Sequence, residues 1–333
     1  MSAFDPKAVR LIASAKAPGI LFGIALDEVR RTLYGAGMDG YLYSLDLSTV
    51  RPPLAAKRWQ LHDNYVSSLA LHRNVLISTG YDGKLIWSNA TNGEVIRNVY
   101  AHDGWIRKLA TSEDGSLLAT VGDDMKLRLW DGKSGANIAT MSGHDAKVPE
   151  GYSSAIYALA ISNDGRYAAS GDRAGFVRIW DLVVSKEIAA FRAADFYTFD
   201  PVKRARAIGG IRGLAFSPDG NRLAVSGIGA VTNVDGFVGP CRMELWDWRE
   251  RKRIAVGQDK HQAILNQAAF YSQGLIAVGG GDGGGAIVVW DGLSATPQAV
   301  VKAKGHLQSF VTDAAGTRMY AVGHGGFQVW ALI

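Results

Sequence analysis

Seven stretches of this chain close on the same short apolar motif, and that repetition constrains the fold more than any other feature. GYLYSLD, GKLIWSN, MKLRLWD, GFVRIWD, RMELWDW, AIVVWDG and GFQVWAL share a key position, held by Leu45, Trp87, Trp130, Trp180, Trp246, Trp290 and Trp330. Successive spacings are 42, 43, 50, 66, 44 and 40 residues. Four of these six intervals fall in the period of ~40–45 residues that a repeating four-stranded unit requires.

Three further strand patterns recur in each unit. A small-residue apolar run such as LLATVG or LAVSG precedes the Trp strand, and before it lies a run such as WIRKLATS or GIRGLAFS. A fourth run, such as ANIATM, follows it. The runs are short and β-branched, and turn chemistry of the kind SEDG, SNDG and SPDG separates them. The 40 glycines fit a chain of many tight turns. No long stretch keeps a helical period, which excludes α and α/β folds. The last unit has only ALI after Trp330, while VRLIASA (Val9–Ala15) stands unused at the other end. Pairing the two termini in one blade closes a ring. The expected fold is therefore all-β, a seven-bladed β-propeller of four-stranded antiparallel blades, with residues 1–333 as one domain.

The units resemble the WD-repeat family. Trp130-Asp131, Trp180-Asp181, Trp246-Asp247 and Trp290-Asp291 carry the Trp-Asp pair, and His62, His102, His144, His261 and His306 stand just before the inner strand. The resemblance implies a structural tetrad of His, Ser/Thr, Asp and Trp. Two blades match it fully, with His62, Ser78, Asp82, Trp87 and with His102, Thr120, Asp124, Trp130. In the fourth blade His144, Ser170 and Trp180 fit, but Ala174 takes the Asp place. The first, fifth, sixth and seventh units depart further and are expected to be the less stable ones. All five repeat-position histidines are read as structural, and His72 and His324 as surface turn residues.

Catalytic signatures are missing from the sequence. It contains no phosphate loop, HExxH motif or nucleophile elbow, and Gly279–Gly285 joins two strands with no helix behind it. The lone Cys241 excludes an internal disulfide framework and reads as a half-buried structural thiol. Net charge is +5 (36 Lys+Arg minus 31 Asp+Glu). The basic fragments Val202–Ala207 and Trp248–Arg253 fall on opposite faces, so nucleic acid is the weakest of the partner readings. No apolar run suits a membrane span and no secretory signal is read, so a cytoplasmic setting is expected.

Extra length concentrates in three places: Asp145–Ala155, Ala193–Gly209 and Ile228–Pro240. In a propeller all three lie on one face, on adjacent blades, and long structured loops are disproportionately functional. Tyr152, Phe196, Tyr197, Phe199, Lys203, Arg204, Arg206 and Phe237 are the expected partner-binding residues there. Tyr65 and Trp105, just before two inner strands, form a second expected contact sector at the rim. The bland readings stay open: insertions that merely cap the channel, and a Trp packed under a neighbouring loop. The favoured function is a non-catalytic scaffold for a protein or peptide partner, a monomeric propeller within a larger complex, with no cofactor and no metal. The alternative is a propeller enzyme or small-ligand binder with its site at the channel mouth.

Overall fold

The computed structural model describes residues 5–48, 57–201, 206–231, 239–271, 274–281 and 283–332. They form seven four-stranded antiparallel sheets and one two-stranded hairpin. Blade 3 shows the pattern: an inner strand Ile106–Thr111, a second strand Leu117–Gly122, a third strand Lys126–Asp131 and an outer strand Asn137–Ser142. The second strand is buried on both faces, because the neighbouring blades pack against it from either side. That is why it is built from small and aliphatic residues, whereas the outer strand is largely exposed.

The ring closes as expected. Arg10–Ala15 pairs with Gly326–Ala331 in antiparallel register, Leu11 opposite Trp330 and Ala15 opposite Phe327, supplying the outer strand of the last blade. Such closure leaves no open seam of unpaired strand edges.

Local chemistry sets the turns. In Ser112-Glu113-Asp114-Gly115 the Asp114 carboxylate takes the Ser112 hydroxyl at 2.7 Å and the Ser116 amide at 3.0 Å. Gly115 sits at φ +68°, where a side chain is disfavoured. The same arrangement recurs at Ser162–Gly165 and Ser217–Gly220. The Asp of each Trp-Asp pair has an equally local task. Asp131, for example, accepts the Ser134 amide at 2.6 Å and the Ser134 hydroxyl at 2.7 Å, closing the turn into the outer strand.

One irregularity is common to all seven blades. Each inner strand carries a bulge near its start, where one residue drops out of the ladder. A bulge kinks the strand and re-aims the displaced side chain. Because inner strands line the axis, the bulges determine what stands at the channel mouth. The Gly279–Gly285 run is itself ladder: Gly279 pairs with Ala286 and Gly281 with Gly284. A Cβ on Gly279 would lie 1.9 Å from the Ile264 carbonyl, so close backbone approach accounts for that glycine.

Candidate functional site: the insertion face and the channel mouth

The histidines divide into two kinds. In blade 3, His102 meets Asp124 at 2.8 Å through Nδ1 and Thr120 at 2.7 Å through Nε2, and the Trp130 indole donates to the same hydroxyl at 2.9 Å. Burial pushes the His102 pKa down against the pull of Asp124. Blade 4 has a complete set too, which corrects the expectation of a gap there. Asp172, at the end of the second strand, bonds His144 at 2.8 Å and takes the amides of Ala174 and Phe176. The Ser170 hydroxyl accepts the Trp180 indole at 2.8 Å. The carboxylate comes from the strand rather than the turn, so Ala174 costs nothing.

Blade 2 requires the opposite correction. His62 bonds Asp82 at 3.0 Å and Ser78 at 2.9 Å, but Trp87 is not the fourth member. Ile77 faces Trp87, whereas in blade 3 Leu118 faces Trp130, and Leu118 corresponds to Leu76. Trp87 therefore stands one residue too early. A shift of one in a strand reverses the face, so its indole donates at 3.0 Å to the Gly132 carbonyl of blade 3. Ser88 occupies the tetrad place, and its buried hydroxyl has no partner.

The remaining blades use other polar groups. In blade 5 the fully buried Glu244 accepts the Trp246 indole at 2.8 Å and Arg242 Nε at 2.8 Å. In blade 7 the Gln328 amide donates to the Lys304 carbonyl at 2.6 Å. His261 and His306 do not enter tetrads. His261 ends the outer strand of blade 5 (Lys252–Gln262), with its buried Nε2 unpartnered. His306 stacks on the exposed His324 at 5.4 Å and accepts from Asn266 Nδ2 at 2.7 Å. Burial, with the His324 and Arg212 charges, pushes His306 down to about 4, so it stays neutral at pH 7. Cys241 is fully buried, more so than expected, and burial pushes its thiol up to about 12. That removes it as a nucleophile. Among the described residues no group of three or more His, Cys, Asp or Glu is placed to hold a metal ion.

The three insertions touch one another. Tyr197 of the second donates its hydroxyl to Glu150 of the first, and the Phe199 ring packs on Tyr152 at 5.9 Å. The Val231 amide of the third donates to Thr198 Oγ1 at 3.1 Å. Tyr197–Asp200 and Arg206–Gly209 pair as a hairpin. Before it, Asp195 bonds Arg253 at 3.0 Å and also pairs with Arg242, tying the loop to blade 5. Phe196 is 1% exposed and belongs to the core between blades 4 and 5. It anchors the insertion from beneath and is withdrawn as a partner contact. Tyr152 is exposed, and Tyr197 and Phe199 are half-buried. Lys203, Arg204 and Phe237 lie outside the described residues, and of Arg206 only the backbone is described.

Tyr65 and Trp105 are brought into one structure by a residue the sequence reading missed. Tyr81 stacks on Tyr65 at 5.4 Å and on Trp105 at 4.4 Å, nearly parallel, while Phe22 continues the row at 5.7 Å from Tyr65. Trp105 ends the row 44% exposed.

The channel mouth itself is ringed by the seven displaced bulge residues, one from each blade: Phe22, Ser67, Arg107, Tyr157, Arg212, Asn266 and Gln308. They surround a cavity of about 280 Å³ together with Lys108. Arg107 is held by Asp123 at 2.6 and 3.0 Å and by the Tyr81 hydroxyl at 2.9 Å. The Arg212 guanidinium carbon stands 3.9 Å from the centre of the Tyr157 ring, and Arg212 donates to the Gly209 carbonyl at 3.2 Å. Arg173 Nε donates to the Tyr157 hydroxyl at 2.9 Å. A signal for this ring was present in the sequence. Each member directly follows a buried aliphatic residue at the first or second position of its inner strand, as in Ile106-Arg107 and Ile211-Arg212.

Seven blades, phased Trp strands and buried His–Asp–Ser/Thr networks define a class, the seven-bladed β-propeller, and part of the chain matches the WD-repeat family model. The family described as WD domain, G-beta repeat, matches residues 93–131 and 135–181, each running from the outer strand of one blade through the first three strands of the next, as far as Trp130-Asp131 and Trp180-Asp181. Among curated proteins, the chain is similar to the small ribosomal subunit protein RACK1 of Drosophila melanogaster, 27% identical over 49% of this chain and 48% of that protein. It is similar to the nuclear distribution protein PAC1-2 of Uncinocarpus reesii, 32% identical over 32% of this chain and 27% of the relative. It is also similar to the target of rapamycin complex subunit wat1 of Schizosaccharomyces pombe, 30% identical over 33% of each. The matched segment spans about half or less of each relative's length.

Proposed function

We propose that this propeller is a non-catalytic interaction scaffold that captures a protein or peptide on the face carrying the insertions of blades 4 and 5. The observation that carries the reading is the interlocking of the three insertions through Glu150–Tyr197, Tyr152–Phe199 and Val231–Thr198. Long loops that only covered the channel would need no such framework. A pre-ordered surface lowers the entropy lost on binding. Exposed Tyr152 offers one aromatic anchor on that framework, and Trp105, backed by the stacked tyrosines, offers another. The relatives fit this role, being named for a ribosomal subunit, for nuclear distribution and for a complex subunit rather than for a reaction. In this reading residues 1–333 act as one domain, a monomeric member of a larger cytoplasmic complex.

The test is affinity capture with quantitative mass spectrometry, comparing wild type with Trp105→Ala, Tyr152→Ala and the charge reversal of Lys203, Arg204 and Arg206. The expected result is loss of the same partner from the variants with the melting temperature unchanged. A partner retained by all three variants refutes this docking sector.

A further inference from the structure

We propose that the channel mouth is a binding site for a phosphate or carboxylate oxyanion, received by Arg212 and Lys108 with the Tyr157 ring as its wall. The charge balance is the first reason. Arg107, Lys108 and Arg212 line this mouth and Arg173 bonds the Tyr157 hydroxyl beside it; among the described residues Asp123 is the one carboxylate bonded to any of them, and it is taken up in both oxygens by Arg107. Among the described residues no carboxylate pairs with Lys108 or Arg212. The Arg212 Nε is buried without a hydrogen-bond partner. Burial, joined by the Arg107 and Arg173 charges, pushes the Arg212 guanidinium down, and burial alone pushes the Lys108 ammonium down to about 8. Partly buried cations without counter-charges are costly. A purely structural lining would pair them or replace them.

Placement is the second reason. Arg212 is a bulge residue turned out of its ladder toward the axis, and Lys108 immediately follows one. Both also line a second space of about 160 Å³, again with Asn266. A cavity of about 280 Å³ equals several water volumes of roughly 30 Å³ each. It admits a phosphate or carboxylate on a short stem but not a secondary-structure element. Asn266 and Gln308 add amide groups at the rim without adding charge. This inference is independent of the scaffold reading, which rests on the insertions and the aromatic row.

The experiment is isothermal titration calorimetry of the full chain with pyrophosphate, at ionic strength held constant with chloride. Wild type is expected to bind saturably, and Lys108→Met and Arg212→Gln at least tenfold more weakly. Gln308→Glu tests the idea without deleting a cation: the added carboxylate should weaken pyrophosphate at least tenfold and raise the ligand-free melting temperature. No saturable binding by wild type, or unchanged binding in folded Arg212→Gln and Gln308→Glu, overturns the site. A Gly-phosphoserine-Gly peptide and its unphosphorylated form supply the second arm. Tighter binding of the phosphopeptide than of pyrophosphate supports the site and assigns the oxyanion to a partner side chain. The reverse order supports it as a site for a free small anion, and this result would stand even if the Trp105 and Tyr152 variants kept their partners.

Discussion

Lys108→Met isolates the energetic cost of an uncompensated cation at the channel mouth. Burial places the Lys108 pKa at about 8 instead of 10.5. At about 1.4 kcal/mol per pH unit the displacement corresponds to about 3.4 kcal/mol. The side chain is only half-buried, and screening by channel water reduces the effect to roughly 1.5 kcal/mol. Because the folded pKa lies below the unfolded one, the unfolded chain keeps this proton between about pH 8 and 10.5 while the folded chain releases it. Stability contributed by the group therefore climbs with pH across that window, and below it the full penalty applies. Methionine fills similar space without charge. The variant should be more stable than wild type by about 1.5 kcal/mol at pH 7, and the gap should narrow to about half of that by pH 10, closing only above the unfolded pKa of 10.5. Urea unfolding at pH 7 and at about pH 9.5–10, followed by tryptophan fluorescence, measures both. A variant less stable at pH 7, or a gap independent of pH, would refute the claim that Lys108 is held charged against its surroundings.

The same reasoning yields three further expectations. Trp130→Phe and Trp180→Phe each remove an indole hydrogen bond to a buried hydroxyl, whereas the Trp290 and Trp330 indole nitrogens have no partner. The first two substitutions should cost about 1 kcal/mol more than the same change at Trp290 or Trp330, measured by denaturant midpoint. Asp172→Ala should cost roughly 3 kcal/mol, since it strands His144 and two amides. Ala174→Asp should bring no gain, and a stabilised Ala174→Asp protein would show that blade 4 lacks its carboxylate after all. His306 titrates near 4 when folded, so it favours the folded state less and less as pH drops from about 6.5. His306→Gln should flatten the fall in melting temperature between pH 6.5 and 4, and an unchanged slope would remove His306 as its source.

Much of the candidate site was hidden for a reason of phase. Trp87 and Trp130 read as equivalents because the motif was aligned on its tryptophan. Strand geometry instead counts from the turn, and by that count Ser88 is the positional equivalent of Trp130. The role of Asp172 is not legible in the sequence because a carboxylate at a strand end and one in the following turn reach the same imidazole. Phe196 looked like a surface aromatic in a long loop, yet the salt links of Asp195 to Arg242 and Arg253 fold that loop inward and bury the ring. Tyr81 sits in a tight turn, and its stacking depends on Tyr65 and on Trp105 of the neighbouring blade, which no local pattern reveals.

Sequence alone determined the architecture: the period of the Trp strands, the small-residue second strands and the spare strand at the N-terminus are all local patterns, and local patterns survive without coordinates. It also located the three insertions by length. Only the tertiary structure decided which side chains meet, because convergence on the axis joins residues from seven separate repeats. The ring from Phe22 to Gln308 is read as a unit only after each bulge has rotated one residue out of its ladder and closure has brought the first blade beside the last.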